Sequence, residues 1–107
     1  MDNLFDLPTA TPGGQEVFEN LLSKGNLRLE RIVTLAPYSE PGDWYDQEED
    51  EWVVLLKGTA EIEYKSGEIQ AMKAGDHLFI PARKQHRVRW SSPGEVCIWL
   101  ALHGKLK

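Results

Sequence analysis

Five carboxylates crowd the six positions Asp46-Gln47-Glu48-Glu49-Asp50-Glu51, and the last of them stands directly against the apolar run Trp52-Val53-Val54-Leu55-Leu56. Most acidic runs are solvated loop tips. Glu51 is a different case, because a carboxylate drawn in at the start of an apolar strand loses hydration and needs a partner. His86, just after the loop from Pro81 to Gln85, is one candidate partner, and an arginine is another. A joined Glu51 and His86 would move each other's titration and could act as base and acid on any substrate that reached them. His86 also has a plainer reading, as a half-buried ring bonded to a carbonyl.

Other chemistry finds little footing. Neither Gly-x-x-x-x-Gly-Lys-Ser/Thr, Gly-x-Gly-x-x-Gly nor His-Glu-x-x-His occurs, so nucleotide cradling and helical zinc protease sites have no support. Cys97 lies in the apolar stretch Val96 to Leu102, where an inert buried thiol is expected. Arg83, Lys84, Arg87 and Arg89 form the one basic cluster. Alternation sets Arg87 and Arg89 opposite His86, facing outward, where they could meet the acidic 46–51 segment of a neighbouring chain. His103 reads as an exposed residue of the C-terminal tail.

The elements that must position these residues are mostly strands. Leu27 to Leu35, Glu51 to Leu56, Thr59 to Tyr64, Glu68 to Met72, His77 to Ile80, His86 to Trp90 and Glu95 to Leu102 are short, apolar or alternating runs. Turn residues such as Pro41-Gly42, Gly58, Ser66-Gly67 and Gly75-Asp76 divide them. Strands at this spacing predict an antiparallel sandwich or barrel. One helix is expected over Gln15 to Ser23, where Val17, Phe18, Leu21 and Leu22 share a face at a 3.6-residue period, with Gly25 as its stop. Before it, the opening dozen residues read as a loose arm that Leu4, Phe5 and Leu7 could pin to a surface. The expected organisation is a single domain, with residues 1–26 as arm and helix and 27–103 as barrel.

In two stretches the sequence resembles the cupins. Their first motif has two histidines one residue apart, a glutamate three or four residues later and a glycine seven beyond it; Glu51 and Gly58 match its second half. In the second motif, Gly75, Pro81 and His86 fall in place, while Arg83 stands where a glycine is expected and Trp90 where an asparagine often closes it. The resemblance implies an all-β fold, a double-stranded β-helix of jelly-roll type, over roughly Leu27 to Leu102. In metal-binding cupins two His, one Glu and a final His hold a divalent ion. Here the paired histidine positions are Tyr45 and Gln47 or, with the longer spacing, Trp44 and Asp46. Tyr45, Gln47 and Glu51 share strand parity, which favours the first spacing. The ligand set that the resemblance implies is therefore Glu51 and His86 with an oxygen from Gln47 or Asp46, for one divalent metal among Zn, Fe, Mn and Ni. Tyr45, Trp90 and His77 are expected to line the pocket, with His77 as packing or rim.

Twelve Lys and Arg against seventeen Asp and Glu give 12 − 17 = −5, a sign that opposes nucleic-acid and membrane-surface partners. The chain is expected to be cytoplasmic, having one cysteine and no secretory-type start. The run Trp52 to Leu56, apolar on both sides, asks for a second cover, from the helix, the arm or another subunit, and so for a homodimer. The expected role is binding of a small molecule in the barrel, through a divalent metal or, alternatively, as a metal-free ligand-binding, sensing or structural module. No residue pattern selects a reaction.

Overall fold

The computed structural model describes residues 2–7, 16–34, 44–92 and 96–107. Its elements, in chain order, are β1 (Glu16–Lys24), β2 (Leu27–Thr34), β3 (Asp50–Lys57), β4 (Thr59–Tyr64), β5 (Ile69–Lys73), β6 (His77–Ile80), β7 (His86–Ser91) and β8 (Cys97–Gly104). Two antiparallel sheets face each other, one ordered β1-β2-β8-β3-β6 and the other β5-β4-β7. The expected Pro41-Gly42 turn lies outside the described residues.

Alternation makes one face of each strand the core. Along β3, Glu51, Val53 and Leu55 are buried while Trp52, Val54 and Leu56 are only half-buried. In the opposing sheet Ala60, Ile62 and Tyr64 of β4, with Val88 of β7, face them across the interior. Burying such a set removes apolar surface from water and drives the two sheets together. The strand expected to be covered on both faces therefore has one core face and one half-covered outward face.

The helix expected over Gln15 to Ser23 is not formed: from Glu16 on, the described part of that segment is strand β1 (Glu16–Lys24). Val17 pairs with Val33 and Phe18 with Ile32, and the register slips between Asn20 and Leu22. That bulge places one extra residue in the strand and breaks its two-residue period. The apolar positions 17, 18, 21 and 22 therefore imitate a helical repeat. β1 is a sheet edge, with Phe18 49%, Leu21 39% and Leu22 69% exposed.

The N-terminal segment is held by polar contacts rather than by its apolar side chains. Arg31, buried on the outward face of β2, donates to the carbonyls of Leu4 and Asp6, and its Nε donates to Glu19 at 2.8 Å. Phe5 and Leu7 stay half in water.

Turns close where the backbone allows them. Gly58 joins β3 to β4 at φ +90, and a Cβ there would lie 2.6 Å from the Cys97 sulfur. Both facts require glycine. Cys97 is fully buried, its thiol 3.3 Å from the Thr59 carbonyl.

Candidate functional site

Between the sheets lies a small cavity of about 40 Å³, in a measure where one water needs roughly 10–15 Å³. The cross-strand register builds its floor. Glu51 of β3 is paired with His103 of β8, and Glu30 of β2 lies two positions along the same inner face. Glu16 and Phe18 of β1 extend the row, and all five residues line the cavity. From the other sheet comes His86, the first residue of β7, whose backbone is bridged to Tyr45 by hydrogen bonds of 2.8 and 3.2 Å.

Glu51 and His86 meet across this hollow. His86 Nε2 is 3.3 Å from Glu51 Oε1, and the side chains are 7% exposed each. The two atoms are close enough to form an ion pair but are not aligned as a hydrogen bond, so Glu51 Oε1 is a buried oxygen without a hydrogen-bond partner. The other ring nitrogen is anchored, with His86 Nδ1 3.0 Å from the Lys84 carbonyl. A carbonyl can only accept, so Nδ1 carries the hydrogen and Nε2 is the atom turned to Glu51. Burial acts to depress the His86 pKa. The contact with Glu51, the Lys84 carbonyl and the charges of Glu51 and Glu16 outweigh it, and the net shift is upward from 6.5.

A second pair shares the cavity. His103 Nε2 bonds Glu30 Oε1 at 2.8 Å, while His103 Nδ1 has no partner and the residue is 1% exposed. Burial pushes the Glu30 carboxyl upward, but the His103 bond and the charges of His103 and Arg28 prevail, leaving it below 4.5. Glu16 completes the wall. The Tyr45 hydroxyl donates to it at 2.5 Å and the Thr34 hydroxyl at 3.0 Å, yet burial dominates and raises its pKa above 4.5.

The expected site residues separate. Gln47 and Tyr45 line the cavity with Glu51 and His86. Asp46 faces solvent, with Arg83 and Gln85 as partners at 3.3 Å. Trp90 is also placed outside the cavity: Ile62 pairs with Val88 but Glu61 with Trp90, so an extra residue, Arg89, turns Trp90 out. It is 40% exposed. His77 lies on the outer face of the five-stranded sheet, paired with Val54, its ring 5.5 Å from Trp52. Arg87 and Arg89 bind Glu63 and Glu61 of β4 within the chain. The remaining acidic residues have separate structural partners: Glu48 binds Arg83, Glu49 binds Arg28, and Asp50 accepts from the backbone amides of Ala82 and Leu106.

Sequence reasoning missed Glu16, Glu30 and His103. Glu16 sat in the supposed helix, and His103 was read as tail although β8 runs on to Gly104. Alternation from Trp99 through Ala101 would have placed His103 inside.

Two donors 3.3 Å apart could share one ion, but a protein-held metal needs more. Among the described residues no three His, Cys, Asp or Glu side chains gather to hold one. Gln47 offers only an amide, and both oxygens of Glu16 are engaged. The donor set does not fit a metal centre of three or four protein ligands.

A β-roll of two antiparallel sheets enclosing a His–Glu site defines a cupin barrel, and the chain belongs to the cupin domain family, whose model matches residues 31–103. A crystal structure from Ralstonia eutropha JMP134, provisionally named a mannose-6-phosphate isomerase, is 41% identical, with 98% of this chain and 97% of that one covered at a TM-score of 0.85. TT1209 from Thermus thermophilus shares the fold at 17% identity, with a TM-score of 0.78 and coverage of 98% and 96%. The uncharacterized protein YdbB of Bacillus subtilis strain 168 is 34% identical over 61 residues, 56% of this chain and 54% of that protein, so the match spans about half of each.

Proposed function

We propose that this protein binds a small molecule inside the barrel without a metal, using His86 and Glu51 as a proton-exchanging pair. The observation that carries this reading is Glu51 Oε1, a buried carboxylate oxygen in the cavity wall that makes no hydrogen bond. Leaving such an acceptor unmade costs about 1–3 kcal/mol, and a ligand with a donor removes that cost. Protonated on Nε2, His86 can give a proton to the ligand while Glu51 takes one, so acid and base stand side by side. Proton transfer of this kind is what an isomerisation requires.

The provisional name of the Ralstonia relative suggests an isomerase of a phosphorylated sugar. The cavity supports the proton-transfer half of that suggestion and not the phosphate half, since no Lys or Arg is among the described residues that line it. Phosphate sites are built from such cations or from helix N-termini.

The test combines metal analysis with a ligand screen read on the Trp99 indole signal. Protein purified without chelator or affinity tag is expected to retain ligand binding after EDTA treatment, and His86→Ala and Glu51→Gln are expected to weaken it. Near-stoichiometric metal that disappears in His86→Ala, with ligand binding lost on chelation, overturns the reading.

A further inference from the structure

We propose that the cavity selects a small organic cation, of the primary ammonium type, over neutral and anionic molecules of equal size. The inference rests on the reading that the cavity binds a small molecule and names the class that fits. The titratable groups facing the space are Glu16, Glu30, Glu51, His86, His103 and Tyr45. With both imidazoles neutral, the ionised groups among them are all carboxylates. His86, when protonated, offsets one of those charges and no more.

Two buried polar atoms of this wall lack hydrogen-bond partners, and with the imidazoles neutral both are acceptors. Glu51 Oε1 is one. The other is His103 Nδ1: Nε2 supplies the hydrogen that Glu30 accepts at 2.8 Å, so Nδ1 of the neutral ring carries a lone pair. Their residues are directly paired across β3 and β8, and both line the cavity. An ammonium carries three donors and no acceptor and can serve both at once, whereas a carboxylate or phosphate would add acceptors to a wall already short of donors. Phe18, Tyr45 and Trp99 are among the other lining residues, which are mostly aliphatic, and aromatic faces attract cations. The cavity volume of about 40 Å³ suits a molecule of roughly three heavy atoms, the room of about three waters.

The experiment titrates the intact protein with ethylammonium, ethanol, acetate and inorganic phosphate at about pH 8, where free imidazole is neutral and the alkylamine charged. Binding is read from the Trp99 indole N–H and the His86 and His103 imidazole signals in NMR spectra. Ethylammonium is expected to saturate these shifts about tenfold or more tighter than ethanol, as a charge-assisted hydrogen bond requires, with acetate and phosphate inert. Glu51→Gln should lose that advantage, and Glu16→Gln, which keeps the Glu51 acceptor, should lose only part of it. Equal binding of ethanol, or tighter binding of acetate or phosphate, overturns the cation inference and leaves the small-molecule reading standing. If no probe moves any cavity signal, both fall.

Discussion

Two imidazole–carboxylate pairs line one cavity, and they are put together in opposite ways. In His103–Glu30 the carboxylate is hydrogen-bonded at 2.8 Å and the far nitrogen is left over. In His86–Glu51 the far nitrogen is anchored to the Lys84 carbonyl, and the contact to the carboxylate, at 3.3 Å, is loose. The first arrangement satisfies the carboxylate and ties β2 to β8. The second leaves the carboxylate itself with unspent bonding capacity. Identical residue types thus differ in which ring nitrogen is fixed, Nε2 by the Glu30 side chain in one pair and Nδ1 by the Lys84 carbonyl in the other.

The largest effect that would break this contrast concerns stability. Glu30→Ala strips His103 Nε2 of its acceptor deep in the interior and should cost about 2–3 kcal/mol, measured as a shift in urea midpoint. A cost no larger than that of Glu51→Gln would mean that the two pairs do not differ in kind.

Next comes the pH profile. His86 is raised in the fold, so its contribution to stability is complete below 6.5 and is lost as pH climbs through the higher folded value. Glu16, raised by burial, adds a loss in the same direction as pH climbs from 4.5. Glu30 is lowered, so its contribution is present above 4.5 and lost as pH drops through the lower folded value. Melting temperature should therefore peak between 4.5 and 6.5 and decline on both sides, the alkaline limb shrinking in His86→Gln. A profile identical in wild type and variant would remove the electrostatic distinction between the pairs.

A smaller effect attends Glu51→Gln, which removes a carboxylate whose Oε1 accepts no hydrogen bond and meets His86 only in a loose contact at 3.3 Å. Its stability should change by less than about 1 kcal/mol, while the His86 imidazole titrates at lower pH than in the wild type. The smallest change is expected from Arg83→Gly. Arg83 holds φ 67, the left-handed conformation that a side chain disfavours, and the ion pairs it would lose are exposed. A gain under about 1 kcal/mol is expected, with the imidazole signals of His86, at the end of the same loop, moving more than those of His103.

Much of the fold could be read from residue types because, among the described residues, seven of the eight strands announce themselves by alternation and turns. Even the glycine missing at position 83 marked a real demand of the backbone, since Arg83 takes the conformation a glycine would have held. The edge strand escaped because its bulge at Asn20–Leu22 counterfeits a helical period. In the site, spacing brought out Glu51 and His86, which lie near motif glycines and a proline. Glu16, Glu30 and His103 are joined to them only by pairing across four strands, a long-range register that no local pattern carries. Trp90 shows the converse: simple parity put it inside, and one bulge residue turned it out.

The hydrogen bond from His86 to the Lys84 carbonyl fixes more than a tautomer. A ring held by one edge cannot flip over, so a molecule seated in the cavity meets its Nε2 from a single direction. Under the proposed proton-exchanging role, a planar carbon held in one orientation there would receive its hydrogen on one face.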